Sequence, residues 1–180
     1  CYSEDDGKTW SKPDLLSMIH ACKANGICLK NGDLLLPVYH NEVGKVGVFK
    51  STDEGKCWEL YSSDMIETDI VEPSITEFTP NHILMISRTK TGTIWISESI
   101  DAGYNWTTPK TTRIKSYNTP VSLLKKGNSL LISYNSGKSR GKLCISSTSS
   151  LLFQWDSTLI VDQIKDSSFP SGINSIHPSG

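Results

Sequence analysis

Short apolar runs recur along the chain, each parted from the next by a polar turn. GICLKNGDLLLPVY (Gly26–Tyr39), SITEFTPNHILMISR (Ser74–Arg88) and PVSLLKKGNSLLISYN (Pro120–Asn135) each hold two such runs around a turn. Stretches of this length, bounded by Gly, Asn and Pro, are what strands buried on one or both faces produce. Asn31-Gly32 is a strong hairpin signal, because both residues accept the left-handed backbone of a tight turn. A further run opens on glycine in every unit: GKVGVFKS (Gly44–Ser51), GTIWISES (Gly92–Ser99) and GKLCISST (Gly141–Thr148). A turn and a fourth strand follow. No segment carries a long 3.6-residue period, so helix should be scarce.

The turn after the glycine-initiated strand is itself repeated. It reads SEDDGKTW (Ser3–Trp10), STDEGKCW (Ser51–Trp58) and SIDAGYNW (Ser99–Trp106), and its tryptophans are equally spaced. TSSLLFQW (Thr148–Trp155) keeps the register but has lost the Asp and Gly. Four antiparallel strands per unit, at a period within about 40–50 residues, mark a β-propeller blade. The expected fold is therefore all-β, a propeller of four-stranded blades with about four present. The 1–180 stretch reads as one domain that starts and ends partway through a blade, hence part of a larger ring.

Each box has a structural reading. Its aspartate (Asp5, Asp53, Asp101) can bond N–H groups of its own turn, and its serine (Ser3, Ser51, Ser99) closes the loop. Gly7, Gly55 and Gly103 supply a positive φ. Trp10, Trp58 and Trp106 are large enough to wedge between neighbouring sheets. Cys57 stands where the first box has Thr9, so one hydrogen bond should be missing there. The boxes hold too few oxygen ligands for calcium, and neither a metal nor a cofactor is expected.

Charge narrows the partners. With 18 basic and 19 acidic residues the chain carries a formal charge of −1, which gives no reason to expect nucleic acid or an anionic membrane. No apolar run approaches the roughly 20 residues needed to span a bilayer. No signal-peptide pattern is visible, and the sequence opens on Cys1, as a processed chain or a fragment would. Five cysteines (Cys1, Cys22, Cys28, Cys57, Cys144) lack zinc-type spacing. They read as free thiols, with a Cys22–Cys28 disulfide as the alternative.

In a propeller the inner strands line the axis, so equivalent positions of successive blades converge. First strands offer Asn25, Glu72 and Asn118 near their starts, and second strands offer Tyr39, Arg88 and Tyr134 near their ends. Arginine is scarce: Arg88, Arg113 and Arg140 are the only three. Arg113 follows a box on an outer strand and reads as surface. Arg88 and Arg140 fall at channel-side positions, where a rigid guanidinium fork suits a carboxylate ligand. A plain Arg88–Glu72 ion pair with a solvated Arg140 is an equally good reading of the residues alone.

The boxes resemble the Asp boxes of sialidases. Val71–Arg88 (VEPSITEFTPNHILMISR) is similar to the sialidase stretch in which Glu-Pro opens one strand and Arg closes the next. SRGKLCIS (Ser139–Ser146) resembles the segment that carries a later arginine. The resemblance covers nearly the whole chain and implies a six-bladed propeller that removes terminal sialic acids with retention. In that family three arginines grip the sugar carboxylate, a Tyr activated by a Glu is the nucleophile, and an Asp is the acid/base. A neutral Tyr avoids charge repulsion with an anionic substrate. By position, Arg88 and Arg140 match two of the arginines and Glu72 the activating Glu. The implied partner is a sialylated glycan or another acidic sugar.

The departures are specific. The family's first arginine and its acid/base lie upstream of the first box, in a region this sequence does not contain. Phe169 stands where the nucleophilic Tyr is sought and has no hydroxyl. The isolated chain is therefore expected to be inactive or very weak. Alternative readings are a module that binds an acidic sugar without cleaving it, a non-hydrolytic Asp-box protein such as a photosystem assembly factor or a sorting-receptor domain, and a glycosidase for a different acidic sugar.

Overall fold

The computed structural model describes residues 1–40, 42–137, 140–149 and 157–162. Every element among them is a strand. The first sheet holds β1 (His20–Ala21), β2 (Ile27–Cys28), β3 (Leu34–His40), β4 (Val46–Ser51) and β5 (Glu59–Ser62). The second holds β6 (Ile70–Thr79), β7 (His82–Thr89), β8 (Thr93–Ser99) and β9 (Lys110–Lys115). The third holds β10 (Ser122–Lys126), β11 (Ser129–Asn135), β12 (Leu143–Thr148) and β13 (Ser157–Asp162). Within each sheet the strands run in chain order and pair antiparallel. These are the expected propeller blades. One detail differs: β1 and β2 both pair with β3, so the innermost strand of the first blade is broken in two.

Two apolar layers join the blades. Leu29, Leu35, Val46 and Val48 of the first blade pack against Ile70, Ile75, Ile83 and Met85 of the second. The other face of the second blade presents Leu84, Ile86, Ile94 and Ile96 to Val121, Leu123, Leu130 and Ile132 of the third. Alternation along β7 thus feeds two cores, and Ile83–Ser87 is buried on both faces.

The boxes form the β4–β5 and β8–β9 turns, with a third at the N-terminus, and the three are superimposable in their bonding. The serine Oγ donates to the aspartate Oδ1 at 2.8–2.9 Å and accepts from the glycine N–H at 2.8 Å. The same Oδ1 accepts the N–H of Thr9, Cys57 or Asn105. Each indole N–H donates to the carbonyl of the box glycine. Thr9 and Asn105 add a side-chain bond to the second carboxylate oxygen at 2.7 Å. In the second box the Asp53 carboxylate accepts instead from the Ser51 hydroxyl and the Cys57 N–H alone.

Burial of the tryptophans follows the neighbours. Trp106 is 8 % exposed and, with Ala102, belongs to the layer between the first and second blades. Gly103 lies against Leu35 with φ +90°, so a side chain there would meet both backbone strain and the core. Trp58 is half-buried, and Trp10 is 64 % exposed. Wedging between sheets therefore holds where a preceding blade is described. Trp155 lies outside the described residues.

A buried cation strengthens the same junction. Lys50, on β4, is 2 % exposed. Its Nζ pairs with Asp33, donates to the Ala102 carbonyl at 2.9 Å and lies 4.2 Å from the centre of the Tyr104 ring. All five cysteines are free, so Cys22 and Cys28 form no disulfide.

Candidate functional site

The second blade carries a carboxylate held by two cations. β6 has a one-residue bulge, with Val71 opposite Arg88 and Ser74 opposite Ile86. Glu72 and Pro73 fill the bulge. Proline is tolerated there because the missing N–H is not needed by the ladder. Glu72 takes a left-handed φ of +53°, an unusual state for a non-glycine residue that costs about 1–3 kcal/mol. Strain of this kind persists where the surrounding structure enforces it, and it clusters at functional positions.

The Glu72 side chain is nearly buried. Its Oε2 lies 2.7 Å from Arg88 Nε, a charge contact rather than an aligned hydrogen bond. Its Oε1 accepts from Lys23 Nζ at 2.9 Å. Lys23 comes from the break between β1 and β2 of the preceding blade. Arg88 Nη1 donates to the Asn118 carbonyl at 3.2 Å, in the segment that leads into β10 of the following blade. The cluster is thus assembled from three blades.

Arg88 also forms part of the wall of a cleft of about 180 Å³. His40, Val43, Asp69, Lys90 and Asn118 complete much of the lining. Asp69 and Lys90 form an exposed ion pair across one side. Glu72 and Lys23 stand behind the guanidinium, outside the lining itself.

The sequence-derived candidates separate into groups. Glu72, Arg88 and Asn118 come together as described. Asn25 is exposed in the β1–β2 break, and Tyr39 packs against the core between the first two blades. Neither lines the cleft. Tyr134 was matched to Arg88 by position, and the strand register corrects this. Tyr134 faces Cys144 as Ser87 faces Trp95 and Val38 faces Gly47, so Asn135 stands at the place of Arg88. Tyr134 points into the core, where its hydroxyl meets Ser146 Oγ at 3.1 Å. Arg140 lies in the β11–β12 turn, with its carbonyl accepting from Asn135 Nδ2, and is absent from the cleft lining. Arg113 is exposed on β9. Phe169 lies outside the described residues. Among the described residues no group of three or more His, Cys, Asp or Glu could hold a metal. No helix there is long and apolar enough to cross a membrane.

Sequence reasoning missed Lys23, His40, Asp69 and Lys90. Lys23 reaches Glu72 from the break in the inner strand of the first blade.

Residues 1–178 match the BNR repeat-like domain family. The chain belongs to that family. A curated relative, a sialidase of Bacteroides fragilis (strain YCH46), is 26 % identical over 126 residues, covering 62 % of this chain and 22 % of the relative. Among solved structures, the NanB sialidase from Streptococcus pneumoniae superposes with a TM-score of 0.71 at 22 % identity, over 89 % of this chain and 28 % of that one. The leech intramolecular trans-sialidase, complexed with 2,7-anhydro-Neu5Ac, gives 0.75 at 20 % identity, over 90 % and 29 %. A protein of unknown function from Dyadobacter fermentans gives 0.72 at 17 % identity, over 89 % and 51 %. The BNR chain therefore has the sialidase-type propeller fold and spans about a quarter of the length of these sialidases.

Proposed function

We propose that this chain supplies part of the active site of an exo-sialidase acting on terminal sialic acids. The observation that carries the reading is the Glu72–Arg88 pair, set in a strained Glu-Pro bulge beside a rim cleft. Arg88 offers N–H groups beyond those engaged by Glu72 and Asn118, and they would grip the sugar carboxylate. Arg140, on the same rim of the next blade, would add a second fork. Glu72 would take the proton of a tyrosine hydroxyl as that hydroxyl attacks the anomeric carbon and the glycosidic bond breaks, the aglycone oxygen leaving with a proton from the acid/base. The cleft falls below the ~300–1,000 Å³ of ordinary small-molecule sites, in keeping with a pocket whose remaining walls, tyrosine and acid/base come from elsewhere in a longer protein.

The test is kinetic, on the protein that contains this chain. Glu72→Gln should lower kcat on a fluorogenic sialoside by about 10²–10⁴-fold, the range for loss of a general base. Arg88→Lys should raise KM, because an ammonium cannot copy the bidentate fork. The 180-residue chain alone should release no fluorophore; steady turnover by it would overturn this division of labour. A second reading, an acidic-sugar module without hydrolysis, draws on one observation. Both oxygens of Glu72 already face cations, Lys23 and Arg88, as in a carboxylate whose role is to fix its neighbours in place. Wild-type binding of sialic acid with no turnover in the longer protein would favour it.

A further inference from the structure

Two histidines meet where the first blade borders the cleft. His20 on β1 lies opposite His40 on β3, with ring centroids 5.1 Å apart at 80°. The Phe49 ring of β4 also meets His20 at a steep angle, 6.0 Å away at 78°. Both imidazoles are held as hydrogen-bond acceptors. His40 Nδ1 accepts the Glu42 N–H at 3.1 Å, so that nitrogen carries no proton. His20 Nδ1 lies 2.9 Å from Ser17 Oγ. That oxygen already accepts the N–H groups of Ile19 and His20 at 3.2 Å each, which leaves its own proton for His20 Nδ1. Each ring is thus fitted to its neutral form, with the remaining proton assigned by this network to Nε2.

We infer that the His20–His40 pair is a pH-sensitive latch: neutral, it holds β1 on β3 and residues 42–43 in the cleft wall, and protonated, it releases both. The surroundings favour release on acidification. Burial, His40 and Lys45 all act on His20 in one direction, and together they hold its pKa below the ordinary histidine value. On the cleft side His40 shares the lining with two carboxylates, Glu42 and Asp69, and two cations, Arg88 and Lys90, so both signs face it. A proton on His40 Nδ1 would point at the Glu42 N–H and break that bond whatever the balance of those charges. β1 has little else to hold it. It is two residues long, and its pairing consists of His20 with His40 and Ala21 with Tyr39. His20 takes up its proton less readily folded than released, so the hold is complete above the unfolded value of about 6.5 and is lost as pH falls through the lower folded one. Two parts of the candidate site follow. Glu42 and Val43 line the cleft, and Lys23, just beyond β1, is a group that reaches Glu72. The latch does not depend on what the cleft binds.

Peptide-level hydrogen exchange on the longer protein tests it, with rates corrected for the intrinsic effect of pH. From about pH 7.5 to about pH 5, protection of residues 17–23 and 42–46 should fall about tenfold, while Ile83–Ser87 of β7 changes by less than about twofold. Asparagine places an amide oxygen near the site of Nδ1 and takes up no proton. His20→Asn should therefore flatten the fall in residues 17–23, and His40→Asn the fall in residues 42–46. An equally steep fall in the double variant, with β7 protection intact at the upper pH, assigns the acid response to other groups and overturns the latch. Constant protection in the wild type overturns it as well. Deuterium exchange at imidazole C2, read by mass spectrometry, is a second measure on the wild type that needs no variant. His20 should titrate below about 6.5, and titration at or above that value overturns the proposal.

Discussion

Asp53 is more acidic than an ordinary aspartate for a reason visible in its turn. It accepts the backbone N–H of Cys57 and the hydroxyl of Ser51, and these bonds hold its pKa down to about 2. Asp5 is lowered in the same way by the backbone and hydroxyl of Thr9. At Asp101 burial pushes the pKa up, and the bonds from Asn105 and Ser99 more than offset it. A carboxylate that is more acidic folded than unfolded stabilises the fold above its unfolded pKa. That contribution is lost as pH falls from about 4 toward 2. Urea midpoints measured across this window should drop, and Asp53→Asn should flatten the drop. The second box also lacks the side-chain bond that Thr9 and Asn105 make, and its nearness to Asp53 holds the Cys57 thiol pKa up. Cys57→Thr should restore the bond and raise stability by about 0.5–1.5 kcal/mol, read as a higher thermal midpoint. The boxes were legible in the sequence because Asp, Gly and Trp each answer to a local rule. The Glu72 cluster was legible only in part. Glu72 and Arg88 lie on adjacent strands of one hairpin and were read together, whereas Lys23 is brought in by tertiary structure.

Between elements, the junction of the first two blades shows what pattern can and cannot carry. Trp106 fills the interblade layer, and its loss should cost about 3–5 kcal/mol. Trp10, whose indole bonds its own box but meets no described blade, should tolerate alanine within about 0.5 kcal/mol in this chain. Circular-dichroism melts of the two variants give the comparison. Lys50 went unread because a lysine in GKVGVFKS resembles an ordinary solvent-facing strand residue. It is buried because β4 lies between two faces, and Asp33, the Ala102 carbonyl and the Tyr104 ring receive its charge. Lys50→Met should destabilise by about 3–5 kcal/mol, since it leaves Asp33 without its partner. Adding Asp33→Asn should recover part of that loss, whereas a purely steric role for Lys50 would leave the double variant as unstable as the single. The same limit explains Tyr134. Spacing places a residue along a strand, but a shift of one position moves its side chain to the opposite face.

At the scale of the whole molecule, blades touch only their neighbours, so stability should be distributed by position in the row, as in other repeat architectures. The second blade is covered on both faces by apolar layers. The third blade has Ile145, Leu159, Ile160 and Val161 exposed on its outer strands, and the first has Leu60 exposed on β5. Local opening is cheapest where few apolar contacts must break. Amide hydrogen exchange should therefore be slowest in β7, from Ile83 to Ser87, where every side chain is buried and both edges are hydrogen-bonded. Exchange should be faster in β5 and fastest in β13. Glu72 sits one strand inward of that most protected segment, in a bulge that the stiff β7 backs directly. A strained φ of +53° is sustained more readily against such support than at a fraying edge. Replacing Glu72 by glycine, which accepts that backbone without strain, should leave β7 protection intact or raise it while abolishing the ion pairs to Lys23 and Arg88. A fall in β7 protection would instead mean that the ion pairs, rather than the apolar layers, hold the central blade together.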